Sequence, residues 1–172
     1  MPDLFIAFSY KDILFLLQGA LVTIALCAVA FSCGLVVALV IGLIRASRRF
    51  PVLRWFGGAY VEIFRGTPLL MQIFIAYFGL SILGLDLPPF AAVSIPLILY
   101  TGAYMGEIVR AGVEAVPRGQ WEAGTSLGMR YHQLMLHVVA PVAVRVMIPP
   151  SVGFLVQLVK GTLWHTWLAM WS

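Results

Sequence analysis

The chain has 172 residues, of which 62% are hydrophobic and only 10% charged, and its formal net charge is +4. Soluble domains carry about 25% charged residues, so this composition excludes an ordinary water-soluble domain and leaves room for several membrane spans and little else. The basic residues sit beside apolar runs rather than along one soluble face, which fits orientation in a bilayer and gives no support to a nucleic-acid partner.

A first span is expected within Ile13–Ile44, an uncharged run longer than the ~20 residues a crossing needs, so it must tilt or project past the bilayer. Met1-Pro2-Asp3 lacks a basic leader, and this span is read as its own insertion signal. Ala30, Gly34, Ala38 and Gly42 place a small residue at every fourth position, a pattern that lets helix backbones approach closely in lipid. Cys27 and Cys33 lie six apart on this helix, so at about 100° per residue they point to different faces and cannot bridge each other. Packing is their expected role.

The second span is placed at Gly66–Leu85 and the third at Leu87–Gly106, with a tight Asp86-Leu87-Pro88-Pro89 turn between them. Glu62 and Arg65 are three apart and are expected to pair on one helical face as the chain enters the second span. Gly66 and Pro68 weaken the helical ladder there, since proline donates no amide. Arg65, Gly66, Thr67 and Pro68 therefore read either as a kinked helix start or as a hinge. In the third span, Gly102 and Gly106 have the spacing of a close helix contact. Beyond it, Glu107 pairs with Arg110, and Arg110, Glu114 and Arg118 continue at four-residue steps along an emerging helix.

Residues 107–140 form a polar insert that reads as helix, break, helix. Pro117 suits a helix start, Gln120–Leu127 contains good helix formers, and Gly128 can take the left-handed stop. Tyr131, Leu134, Met135, Val138 and Val142 then recur at three- and four-residue steps as an amphipathic stripe. Pro141 marks the turn into a fourth span over 141–160, with Arg145 reaching for the interface. Arg45, Arg48, Arg49, Arg54, Arg65, Arg110, Arg118, Arg130 and Arg145 fall on one side of the spans, and only Lys11 and Lys160 fall opposite. The positive-inside tendency then puts the insert in the cytoplasm and the N-terminus outside.

Catalytic chemistry has no visible seat. His132, His137 and His165 lack Cys, Asp or Glu at ligand spacing, so no metal site is expected. No Gly-rich phosphate loop, nucleophile elbow or carboxylate pair occurs, so the chain is not read as an enzyme and any nucleotide must be brought by another subunit.

These motifs resemble the permease subunits of bacterial ATP-binding-cassette importers, in particular the polar amino acid group. Their signature is Glu-Ala-Ala, a glycine four residues later and a proline thirteen beyond that; Glu122, Ala123, Gly128 and Pro141 match, and Gly124 replaces the second alanine. The stretches Glu62–Gln72 and Glu107–Gln120 resemble the same branch. The resemblance implies an all-helical, type I importer fold of the kind described as MetI-like, in the bacterial inner membrane. It implies two ATPase subunits that carry ATP and magnesium, a second permease subunit, a periplasmic solute-binding protein, and no cofactor on this chain. Gly119, Glu122, Ala123, Gly124, Leu127, Gly128 and Pro141 are then the ATPase-coupling residues, and Arg65-Gly66-Thr67-Pro68 lies at a gate. Members usually continue into a fifth span, whereas residues 161–172 form a short tail in which Trp164, Trp167 and Trp171 share a face. A truncated permease is therefore one expectation. A permease for another small solute such as an opine, and a channel or scaffold, are the alternatives.

Overall fold

The computed structural model describes residues 10–47 and 49–169, with side chains for 10, 13–47 and 49–160. Six helical segments follow in order, and no strand occurs among the described residues. The first, α1 (Tyr10–Ala46), runs for 37 residues, about 55 Å at 1.5 Å per residue. It therefore overshoots ~30 Å of hydrocarbon, as its length requires. Next, α2 (Pro51–Gly66) begins with proline at its first turn, where the missing amide costs nothing. A sharp bend of 100° separates it from α3 (Leu69–Ile82). The connection to α4 (Pro89–Glu114) turns at Gly84, whose φ of +79° needs glycine, and Ser81 donates to the Asp86 carboxylate at 2.6 Å.

The fourth helix is the central post. In its most apolar stretch 67% is buried, against 22% for α1 and 17% for the last helix, and α1, α2, α3 and α6 all pack on it. Residue by residue, α1 meets α4 through the small positions picked out in the sequence. A Cβ on Gly34 would lie 2.6 Å from Thr101, one on Gly42 2.7 Å from the Gly106 carbonyl, and one on Gly102 2.7 Å from Val37. Ala30 and Ala38 are fully buried on the same face. Nothing larger fits. Around this contact Leu26, Ile73, Val93, Leu97, Tyr100, Met105, Phe154 and Leu158 form the main core.

Four boundaries differ from the sequence reading. Residues 51–66 form a helix of their own, which the proline at its start and its amphipathic spacing foreshadow. The third span runs two turns beyond Gly106, to Glu114. Pro141 does not mark a turn: α5 (Arg118–Ser126) is followed by α6, which runs from Tyr131 through a π-helical turn at Met135–Val139 and on to Ala169. In that wide turn the Ala140 amide bonds to the Met135 carbonyl, five residues back. The added residue per turn shifts the backbone away from the ring-against-carbonyl clash that proline makes in a regular helix. The backbone of 161–169 likewise continues α6 instead of forming a separate tail, and the side chains of Trp164, Trp167 and Trp171 lie outside the described residues.

Because Gly42 faces backbone, Gly42→Ala should cost about 1–3 kcal/mol of stability through overpacking. Gly58 has nothing within 4 Å of its Cβ position. Gly58→Ala should therefore be neutral or gain up to ~1 kcal/mol from helix propensity. Thermal unfolding of the two variants in detergent separates these outcomes.

Candidate functional site

Two features could carry mechanism: the polar connection between α4 and α6, and the break between α2 and α3. In the connection, Pro117 holds an extended backbone just before α5 and leaves the helix no alternative start. The exit is a Schellman turn. Met129 N–H bonds to the Gly124 carbonyl at 3.2 Å and Gly128 N–H to the Thr125 carbonyl at 2.9 Å, with Gly128 at φ +71°. The Gln133 side chain then accepts from the Arg130 amide at 2.9 Å, capping the start of α6.

The nine residues of α5 divide into two faces. Gln120, Trp121 and Gly124 turn inward, whereas Gly119, Glu122, Ala123 and Ser126, with Leu127 just past the helix end, form an exposed stripe. Leu127 is 79% exposed, unusual for a leucine at the end of a helix that already has a core beneath it. That core is Val113, Val116, Leu134, Val139 and Ala143, with Trp121 and Met129 against it. Gly124 explains the tight seat, since a Cβ there would lie 2.2 Å from Leu134 Cδ1. Leu134 thus occupies the space a second alanine would need.

At the break, Thr67 is extended (φ −106°, ψ 138°), as the residue before a proline must tend to be. Gln72 staples the turn by donating to the Phe64 carbonyl (2.9 Å), the Thr67 carbonyl (3.1 Å) and Thr67 Oγ1 (2.8 Å). The expected Glu62–Arg65 pair is not among the ion pairs of the described residues. Instead the Arg65 guanidinium lies over the Tyr104 ring, 5.0 Å from its centroid. Phe154 stacks on Tyr104 at 5.4 Å, so the break abuts an aromatic cluster shared by α4 and α6. Of the polar residues inside spans, Gln157 reaches Tyr100 Oη at 3.5 Å, and Thr101 Oγ1 is buried without a hydrogen-bond partner.

Sequence reasoning missed Arg45. Its guanidinium pairs with the Glu107 carboxylate across the α1–α4 contact, and Arg110 binds the same carboxylate at 2.5 Å while also pairing with Glu114. The Glu107–Arg110–Glu114 series was legible from its spacing. The Arg45 arm was not, because it depends on how two distant helices cross. Among the described residues no group of three or more His, Cys, Asp or Glu gathers in a way that could hold a metal.

A helical post, a broken helix beside it and a short seated helix between two spans are features of a membrane permease of binding-protein-dependent importers. Residues 34–172 match the family described as binding-protein-dependent transport system inner membrane component, and the chain belongs to that family. It is 41% identical over 144 residues to the L-cystine transport system permease protein TcyB of Bacillus subtilis (strain 168), covering 84% of this chain and 61% of that protein. The probable glutamine ABC transporter permease protein GlnM of the same organism is 44% identical over 113 residues, covering 66% of this chain and 52% of GlnM. The chain thus spans between half and two thirds of these relatives. In a crystal structure described as an amino acid ABC transporter with histidines, one chain superposes with a TM-score of 0.81 at 30% identity, covering 95% of this chain and 78% of that one. A chain of the MetNI methionine ABC transporter superposes with a TM-score of 0.76 at 23% identity, a likeness of fold. The architecture is therefore the type I importer permease fold, all-helical and membrane-embedded.

The Gly124–Leu134 contact yields a measurable coupling. In a Leu134→Val background, which lacks Cδ1, Gly124→Ala should recover up to ~1 kcal/mol of helix propensity. With Leu134 present the same change should gain less or destabilise. A double-mutant cycle on thermal stability, giving a non-zero interaction term, checks this.

Proposed function

We propose that this chain acts as a permease subunit of an ATP-driven importer of polar amino acids, with α5 as the element that engages the ATPase. The observation that carries this reading is the unpartnered stripe Gly119, Glu122, Ala123, Ser126 and Leu127 on a helix whose opposite face is locked to its own core. A helix seated this firmly moves with α4 and α6 when its outer face is pushed. The seven coupling residues then divide by role. Gly119, Glu122, Ala123 and Leu127 present the contact, Gly124 seats the helix, and Gly128 ends it. Pro141 shapes the wide turn through which α6 departs.

The remaining parts follow from the family. A second permease subunit completes the pathway, a periplasmic binding protein delivers solute, and ATP and magnesium reside on the ATPase. The N-terminus lies outside and α5 inside, in keeping with the arginines around α2, α4 and α5. The relatives, named as cystine and glutamine permeases among others, support an amino acid as solute over an opine. Arg65, Gly66, Thr67 and Pro68 form the break at which α2 and α3 change their angle as access alternates, a shift between two populated arrangements.

Co-purification of the assembled transporter tests the docking face. Leu127→Glu or Glu122→Ala should reduce recovery of the ATPase subunit, and Gly128→Pro should abolish it, because proline cannot adopt φ +71°. Retention of the ATPase by all three would reject α5 as the contact. Independently, a cysteine placed at Ala123 should react with an impermeant maleimide only after the cells are opened; labelling of intact cells would invert the topology.

A further inference from the structure

The Arg45–Glu107 pair joins more than two helices. Arg45 ends α1 and is only 16% exposed, while Glu107 on α4 is 22% exposed, so the two charges meet largely out of water. Where α2 passes over the arginine it carries Gly57, which is buried; a Cβ there would lie 3.1 Å from Arg45 Cγ and 3.4 Å from Cδ. Glycine at this one position lets the arginine stem pass beneath α2 to reach the carboxylate. Glu107 is then held from the other side by Arg110, whose second partner Glu114 lies on the last turn of α4, just ahead of α5. The same α2 is fixed to α4 a turn further on, where Tyr60 Oη donates to the Leu99 carbonyl at 2.6 Å.

We propose that the Arg45–Glu107 ion pair is a transmission clasp, which makes both residues positioning residues for transport: it binds α1 and α2 to the root of α5, so that displacement of α5 reaches the break at Gly66–Pro68. This rests on the importer reading above. The chemistry suits the task. Glu107 shared by two guanidiniums is directional and cannot slide, unlike the apolar contacts around it. Losing one member leaves a poorly hydrated charge behind, so the helices are expected to separate at that point instead of relaxing around it. Among the described residues no other ion pair crosses between helices. At the start of α2, where Val52, Leu53, Trp55 and Phe56 are all exposed, Gly57 over the Arg45 stem is the first buried position.

The test uses the complete transporter, with its ATPase and binding protein, reconstituted in vesicles and supplied with radiolabelled glutamine, arginine or cystine. The readout is solute accumulated per ATP hydrolysed. Glu107→Gln should lower this ratio by about tenfold while hydrolysis changes by less than about threefold, the signature of removing one partner of a shielded pair that links two motions. The exchanged pair Arg45→Glu with Glu107→Arg should restore the ratio. Gly57→Ala, which leaves every charge in place but crowds the arginine stem, should lower it partially. The clasp is overturned by a wild-type ratio in Glu107→Gln, by failure of the exchanged pair to restore it, or by transport and hydrolysis falling in proportion with thermal stability. Should Glu107→Gln fail to assemble, Gly57→Ala decides: a reduced ratio supports the clasp and an unchanged one rejects it. A wild-type complex that shows no ATP-dependent uptake of any of the three solutes removes the importer reading itself, and the clasp with it.

Discussion

The close approach of α1 and α4 is the constraint from which the rest of the architecture follows. Lipid offers no hydrophobic gain for bringing two apolar helices together, so contact must come from dispersion and backbone proximity. Gly34 and Gly42 on α1, with Gly102 on α4, leave notches that Thr101, Val109 and Val37 of the facing helix fill, and Gly106 lies against the Ala38 backbone. Gly42 lies less than a turn from Arg45, and Gly106 adjoins Glu107. The same small residues that close the helix contact therefore bring a cation and an anion from distant parts of the sequence to its polar end. Widening the contact by one methyl would move both.

Proline is handled in two opposite ways along this chain, and the difference sets the shape. At Pro68 the helix gives up: Thr67 becomes extended, Gln72 satisfies the freed carbonyls, and the axis turns by 100°. At Pro141 the helix persists, because a π-helical turn immediately before it absorbs the steric conflict. A preceding glycine and a β-branched threonine favour the break in the first case. In the second, Val138 and Val139 are packed on the small core and hold the backbone helical. One proline thus makes a corner and the other lies within a continuous helix.

Much of this was legible in the sequence. The four-residue spacing of Ala30, Gly34, Ala38 and Gly42 foretold a close helix contact, and Gly128 foretold where α5 stops. These features depend on local rules, period and φ, which a sequence displays directly. What stayed hidden depends on tertiary geometry. Arg45 looked like one more positive-inside arginine until α4 was placed beside it. Arg65 was expected to pair with Glu62 at the favoured helical spacing, yet its guanidinium found the Tyr104 face instead. The π-helical turn was hidden for a related reason, since proline alone argues for a boundary and only the packing of α6 reverses that.

The connection between α4 and α6 shows how a weak element is made stiff. An isolated helix of nine residues does not persist in water, because nucleation fixes several residues before the first hydrogen bond returns anything. Here α5 has no side-chain cap at its start. Its order comes from elsewhere: a proline that fixes the entry, a Schellman turn that closes the exit, and Leu134 filling the notch above Gly124. The first two fix the ends of α5, and the core beneath it, with Val113 of α4 and Leu134 of α6 packed beside Trp121, ties it to both neighbouring helices. A force on the exposed stripe therefore cannot be absorbed within α5. On the proposed reading, it passes to α4 and α6, which share the core beneath α5.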